Sequence, residues 1–205
     1  MSAGHYFAER PAAGSARRTV SLALPDLNMT FVSDRGVFAA DHIDPGTHLL
    51  LQEAPPPPAE GHLLDLGCGY GPIALTMARR APHATVWAVD VNERALELCA
   101  ENALRHDLTN VRCVTPDKVP DDVAFATIWS NPPIRIGKAA LHELLQHWLG
   151  RLVPGASGHL VVQKHLGADS LAAWLTDDGF EVQRRRSRQA YRVLDVTCAN
   201  STAPA

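Results

Sequence analysis

Two segments of this 205-residue chain combine residue types whose spacing could do chemistry. The first is Asp65-Leu66-Gly67-Cys68-Gly69-Tyr70-Gly71, between an apolar run and a helix-like run. Glycines at alternate positions let a backbone turn tightly and approach a ligand closely. The pattern is G-x-G-x-G, unlike the G-x-G-x-x-G of dinucleotide binders, and no Lys-Ser/Thr pair follows to hold phosphate and magnesium. Nothing here demands a pyrophosphate. The bland alternative is a glycine turn that merely joins strand to helix. Asp90 argues against it, because it closes the next β-rich run, where a carboxylate can accept hydrogen bonds from both hydroxyls of a ribose.

Asp65 stands where a carboxylate could face a ligand ammonium, directly or through water. The ligand then carries a ribose and a positive charge, and S-adenosylmethionine meets both demands. This reading assigns cofactor binding to Asp65, Gly67, Cys68, Gly69, Gly71, Asp90, Val91 and Asn131. Asp117, after the third strand-like run of the main fold, is expected to face the adenine amine.

The second segment is Ser130-Asn131-Pro132-Pro133-Ile134, which follows the fourth such run. Pro133 forces Pro132 into an extended shape, and neither proline offers an N–H, so the turn exposes carbonyl oxygens. A planar amine could donate one hydrogen to the Asn131 side-chain oxygen and one to the Pro132 carbonyl. Its lone pair would then point at an activated methyl carbon, and alignment supplies much of the catalysis. Asn131 and Pro132 are the expected catalytic pair, and Pro133, Ile134 and Arg135 the expected substrate contacts. Ile134 would cover one face of the target ring. No metal ligand set is expected, and the 10 histidines are scattered.

The elements that must position these segments alternate regularly. Strands are expected at 62–66, 85–90, 111–114, 123–130 and 159–163, with helices at 72–80, 93–106, 138–149 and 170–177 between or after them. Proline at 72 suits a first helical position. The runs 180–185 and 191–198 lie too close for a crossover helix, so they form an antiparallel hairpin whose tip comes back to the cofactor edge. Such alternation argues for a mostly parallel sheet with helices on both faces. Upstream, runs 20–24 and 29–33 flank a Pro25-Asp26-Leu27-Asn28 turn and read as a hairpin, expected to cover the substrate side of the pocket. A short helical stretch at 47–52 follows, and the four prolines 55–58 form a stiff connector. Residues 1–54 are thus read as an N-terminal extension and 55–205 as the main domain.

With these residues in hand, the chain resembles the small-domain family of class I S-adenosylmethionine-dependent methyltransferases, which includes bacterial guanine-N2 methyltransferases of ribosomal RNA. The turn 65–71, Asp90 and Asn131-Pro132-Pro133-Ile134-Arg135-Ile136-Gly137-Lys138 carry the resemblance. Further matches are Arg35-Gly36-Val37-Phe38, Gln163-Lys164, Gly167-Ala168 and Tyr191-Arg192-Val193-Leu194, over about 5–198. It implies a doubly wound, mostly parallel, seven-stranded Rossmann-like α/β sheet ending in an antiparallel hairpin, plus the N-terminal β-hairpin. It also implies transfer to an exocyclic base amine, with guanine N2 of ribosomal RNA foremost. A small molecule or a protein amide nitrogen is the alternative for the same turn. Two departures stand out: Ile134 replaces the aromatic residue of many relatives, and the duplicated domain of the ribosomal guanine enzymes is not in this chain.

Bulk composition agrees with one enzyme domain. Hydrophobic residues make up 46% and charged residues 20%, with a formal net charge of -3. That balance does not advertise a nucleic-acid binder, so RNA must meet a local basic patch. Arg184, Arg185, Arg186, Arg188 and Arg192 would form one at the hairpin tip, with Arg10, Arg17 and Arg18 as a second arm. The four cysteines, Cys68, Cys99, Cys113 and Cys198, form no C-x-x-C pair and read as buried thiols of a reducing cytoplasm. No secretory leader or membrane span is expected. A cytoplasmic monomer is the default.

Overall fold

The computed structural model describes residues 14–188 and 190–198. Arg10, expected in the second basic arm, lies outside them.

The chain opens with β1 (Arg18–Ala23) and β2 (Asn28–Ser33), an antiparallel pair with Ala23 opposite Asn28 and Arg18 opposite Ser33. Alternate residues Val20, Leu22, Met29 and Phe31 are buried, which gives the hairpin one apolar face. Next comes α1 (Pro45–Glu53), capped by Asp44, whose Oδ1 accepts from the Thr47 N–H at 3.0 Å. That cap starts the helix earlier than the expected 47–52.

The main sheet has seven strands: β3 (His62–Leu66), β4 (Thr85–Val89), β5 (Val111–Val114), β6 (Phe125–Ser130), β7 (Leu152–Gln163), β8 (Phe180–Arg188) and β9 (Tyr191–Cys198). Their order is β5-β4-β3-β6-β7-β9-β8. Every neighbouring pair is parallel except those of β9, so β8 runs the same way as β3 and the hairpin tip does return to the carboxyl edge. β7 begins earlier than expected, because Leu152 pairs with Phe125 across an irregular register before Thr127 resumes opposite Ser157. β8 extends to Arg188, which pairs with Tyr191.

Helices α2 (Pro72–Arg80), α3 (Glu93–Arg105), α4 (Lys138–Leu149) and α5 (Ala168–Asp177) complete the fold. Two cores flank the sheet. One joins α1, α2, α3 and the hairpin with Leu63, Val86 and Val161; the other joins α4 and α5 with Leu64, Ile128, Leu160 and Val162. Successive residues Leu63 and Leu64 go to opposite cores, as a strand covered on both faces requires.

The hairpin does not cover the substrate side. Its apolar face needs burial, and it finds it on the outer helices. The Arg80 guanidinium grips Asp26 at 2.8 and 2.9 Å. Buried Asn102 accepts from the Val32 N–H at 2.7 Å and donates to the carbonyls of Val32 and Tyr70, both at 2.9 Å. One α3 side chain thus ties the hairpin to the glycine turn. Among the described residues no helix is long and apolar enough to cross a membrane.

Candidate active site

Strand order reverses at β3, with β4 on one side and β6 on the other. Open α/β sheets hold ligands at such a reversal, beyond the carboxyl ends of the strands. A cavity of about 370 Å³ opens there. Its lining combines the glycine turn (Gly67, Gly69), the end of β4 (Val89, Asp90, Val91, Asn92) and the turn after β6 (Asn131, Pro132, Pro133, Ile134, Arg135). Phe38, Asp44, Pro116, Leu144, Gln163, Leu166 and Tyr191 contribute as well.

The glycine turn is pinned to β4, since the N–H groups of Gly67 and Cys68 both donate to the Val89 carbonyl, at 2.8 and 3.0 Å. Gly67, Gly69 and Gly71 have φ of 79°, 55° and 102°, where a side chain is strained. Their reasons for being glycine differ. A Cβ on Gly67 or Gly69 would enter open space, so the bare backbone leaves room beside the cavity. A Cβ on Gly71 would meet Leu75 at 2.7 Å and Cys99 at 2.8 Å, so there glycine lets α2 pack on α3.

Asp90 accepts from the Gly69 N–H through Oδ2 and from the Asn92 N–H through Oδ1, each at 2.9 Å. Burial pushes its carboxyl above the usual range, while those N–H groups pull the other way. Asp65 is fully buried under the start of α2: Oδ2 accepts from the Ala74 N–H at 2.8 Å, and Oδ1 has no hydrogen-bond partner among the described residues.

After β6, Asn131 donates both amide hydrogens to the N-terminal segment, to Asp44 Oδ1 at 2.8 Å and Thr47 Oγ1 at 3.1 Å. A carboxylate can only accept, which settles which way the amide faces. The Asn131 oxygen is therefore left as an acceptor at the cavity wall. The Pro132 carbonyl accepts from the Ile134 N–H at 2.8 Å and keeps a second lone pair. A 3-10 turn, Ile134–Ile136, follows, closed by the Ile136 N–H on the Pro133 carbonyl at 3.1 Å, and leads into α4.

The structure brings together Gly67, Gly69, Asp90, Val91, Asn131, Pro132, Pro133, Ile134 and Arg135. It leaves four expected residues out of the cavity lining. Asp65 lies beneath α2, and Cys68 is buried with its thiol on the Gly69 carbonyl, 3.5 Å away. Gly71 serves helix packing. Asp117 is exposed, held by the Thr115 hydroxyl and Lys118, and its neighbour Pro116 faces the cavity instead. Its carboxyl sits below the usual range, with the Thr115 bond the first cause.

Asp44, Thr47 and Phe38 were missed as site residues by sequence reasoning. Asp44-Pro45-Gly46 was legible only as the start of a helix. Arg35-Gly36-Val37-Phe38, Gln163 and Tyr191 stood among the resemblance motifs without a role.

The open space over Gly67 and Gly69, Asp90 in the wall and the unpartnered Asp65 oxygen behind it fit a nucleoside with a cationic tail. Residues 28–195 match the methyltransferase small domain. The chain belongs to that family. It is an S-adenosylmethionine-dependent methyltransferase. Among its relatives, YbxB, an uncharacterized protein of Bacillus subtilis (strain 168), is 37% identical over 193 residues, 93% of this chain and 96% of that protein. Ribosomal RNA small subunit methyltransferase C of Shewanella sp. (strain MR-4) is 31% identical over 157 residues, 74% of this chain and 45% of that protein. A 16S rRNA N2 methyltransferase of T. thermophilus, RsmC, solved in complex with AdoMet and guanosine, superimposes with a TM-score of 0.77 at 25% identity, covering 92% of this chain and 52% of that one. The methyltransferase therefore spans about half the length of its relatives with a ribosomal RNA name.

Proposed function

We propose that this methyltransferase acts on an exocyclic amine of an RNA base, with guanine N2 in ribosomal RNA as the leading target. The observation that carries the reading is the fixed amide of Asn131. Both its hydrogens are used on Asp44 and Thr47, so its oxygen is left to accept, and Asn131 lines the same cavity as Pro132 and the glycine turn. An amine that gives one hydrogen to each acceptor has its lone pair directed away from both. Alignment of this kind supplies several kcal/mol of barrier lowering, and no base need remove a proton before transfer.

When bound, S-adenosylmethionine would supply a sulfonium-activated methyl group. Gly67 and Gly69 would let its amino-acid end lie against the backbone, Asp90 would take the ribose hydroxyls, and Asp65 would balance the ammonium from behind the turn. With Asp117 outside the cavity, Val91 and Pro116 would flank the adenine. Ile134 and Phe38 would bound the target ring; Phe38 is 49% exposed and lines the same cavity as Ile134.

Support for RNA comes from two sides. Relatives bear ribosomal RNA methyltransferase names, and one was solved with guanosine. The hairpin arginines line the carboxyl edge as well, although four of the five already meet carboxylates: Arg184 and Arg192 on Asp169, Arg185 on Asp195, Arg186 on Glu53. The arginines of the Arg184–Asp169 and Arg186–Glu53 pairs are well exposed, and pairs of that sort contribute only ~0–1 kcal/mol, so phosphates can displace them; Asp195 and Arg192 are more sheltered.

The test is tritiated methyl transfer to ribosomal RNA from cells lacking this protein, naked and in assembled subunits. Label mapped to one exocyclic amine supports the reading. Cofactor binding without incorporation would replace RNA by a small molecule or a protein amide.

A further inference from the structure

Asp44 lines the cavity although it belongs to the segment before the sheet. Its two oxygens are used unequally. Oδ1 accepts from the Thr47 N–H at 3.0 Å and the Asn131 amide at 2.8 Å. Among the described residues Oδ2 has only the Tyr191 hydroxyl, 3.4 Å away, a long contact for an O–H donor. A carboxylate oxygen accepts two hydrogen bonds, so Oδ2 retains capacity next to the acceptor that Asn131 offers.

Two acceptor side chains joined by a hydrogen bond and lining one cavity, one of them a carboxylate, select for two adjacent donors. Guanine presents that pair, N1–H next to its N2 amine. Adenine and cytosine place a lone pair, on N1 and N3, next to their amines. A side-chain amide has no second N–H adjoining its NH2 group. Opposite a carboxylate, a lone pair in place of N–H leaves a buried acceptor facing an acceptor, and mismatches of this kind give the largest discrimination a binding site achieves.

We propose that Asp44 is the residue that selects guanine: its second oxygen accepts the guanine N1–H while the Asn131 oxygen accepts one N2 hydrogen. This rests on the base-amine reading above and assigns a residue to the choice of guanine over other amine-bearing bases. It also gives Tyr191 a purpose, since its hydroxyl and its ring, packed against Gly46, steady the carboxylate from β9.

The experiment uses the full chain saturated with S-adenosylhomocysteine and three nucleosides: guanosine, 2-aminopurine riboside and adenosine. 2-Aminopurine keeps the amine of guanine but has a lone pair at N1. The wild type should bind guanosine at least tenfold more tightly than 2-aminopurine riboside. In Asp44→Asn the new side chain still caps α1. Its oxygen can still hold Asn131, but its NH2 group replaces Oδ2. The preference should collapse or invert, with the melting temperature unchanged and S-adenosylhomocysteine affinity within twofold of wild type. Equal wild-type binding of the two 2-amino purines, or an unchanged preference in Asp44→Asn, overturns the assignment and leaves the base-amine reading standing. If no nucleoside binds measurably, the ribosomal RNA assay decides. Label on guanine N2, lost tenfold in Asp44→Asn, supports the assignment. Label on adenine or cytosine, or undiminished transfer to guanine, overturns it. No label at all overturns the base-amine reading and this inference with it.

Discussion

At the residue scale, the site separates groups in the cavity wall from groups that hold them in place. Asn131→Ala removes the one acceptor whose direction is fixed by two donated bonds. Its expected effect is a fall in kcat of about 10²–10³, the size seen when a single oriented group at a reacting centre is lost. Cofactor affinity should stay within a few fold by calorimetry; equal kcat would remove Asn131 from the mechanism. Asp65 gives a prediction in pH. Burial pushes its carboxyl well above the usual range, the Ala74 N–H pulls down, and the Asp90 charge pushes up again. Between its unfolded and folded values the native state keeps a proton that the unfolded chain has lost. Stability from this group therefore falls as pH rises through that window. Asp65→Asn keeps the oxygen that caps the Ala74 N–H and removes the titration. Melting temperatures of ligand-free protein should decline less steeply with rising pH in the variant, and parallel curves would show that Asp65 carries no such burden. Asn131 and Asp90 were legible in the sequence because each sits in a short motif at a strand end. Asp44 was not: its meaning depends on partners from β6 and β9, which local pattern cannot bring together.

At the element scale, the glycine turn shows one motif serving two masters. Gly69→Ala puts a methyl into open space beside the cavity at a φ of 55°. It should cost about 1 kcal/mol of stability, from the left-handed backbone alone, and weaken cofactor binding roughly tenfold. Gly71→Ala adds overlap with Leu75 and Cys99 to the same strain. A loss of roughly 2–4 kcal/mol is expected, seen in chemical denaturation. Similar stability losses in the two variants would refute the division of labour. The alternation of strands and helices was readable from apolar runs, and so was the antiparallel end of the sheet, from the short link between β8 and β9. Where the hairpin docks was not. Its one-sided apolar pattern demands a partner but does not say which; Asn102 and Arg80 on the outer helices supply the answer. The early start of β7 escaped as well: Pro154 and Gly155 lie in the stretch where the register with β6 is broken, and only the pairing of Leu152 with Phe125 brings the strand's start back to the sheet.

At the scale of the whole molecule, a net charge of -3 coexists with an arginine-bearing edge at the site. If RNA meets that edge through phosphates, Arg186→Ala with Arg188→Ala should weaken binding to all RNA sequences alike. The slope of log affinity against log salt should shrink by about 1–2. An unchanged slope in filter-binding titrations would place the RNA elsewhere on the surface.

The contact between Tyr191 and Asp44 links residues 147 apart in sequence. Asp44 is synthesised before Asn131, and Tyr191 after both. A ribosome-bound chain that has made the glycine turn and the Asn-Pro-Pro turn still lacks the hydroxyl that braces Asp44. The enzyme thus acquires its finished pocket only when its last strand docks. Two fragments cut between α5 and β8 should each be silent and regain methyl transfer on mixing, which makes this fold suited to a complementation reporter.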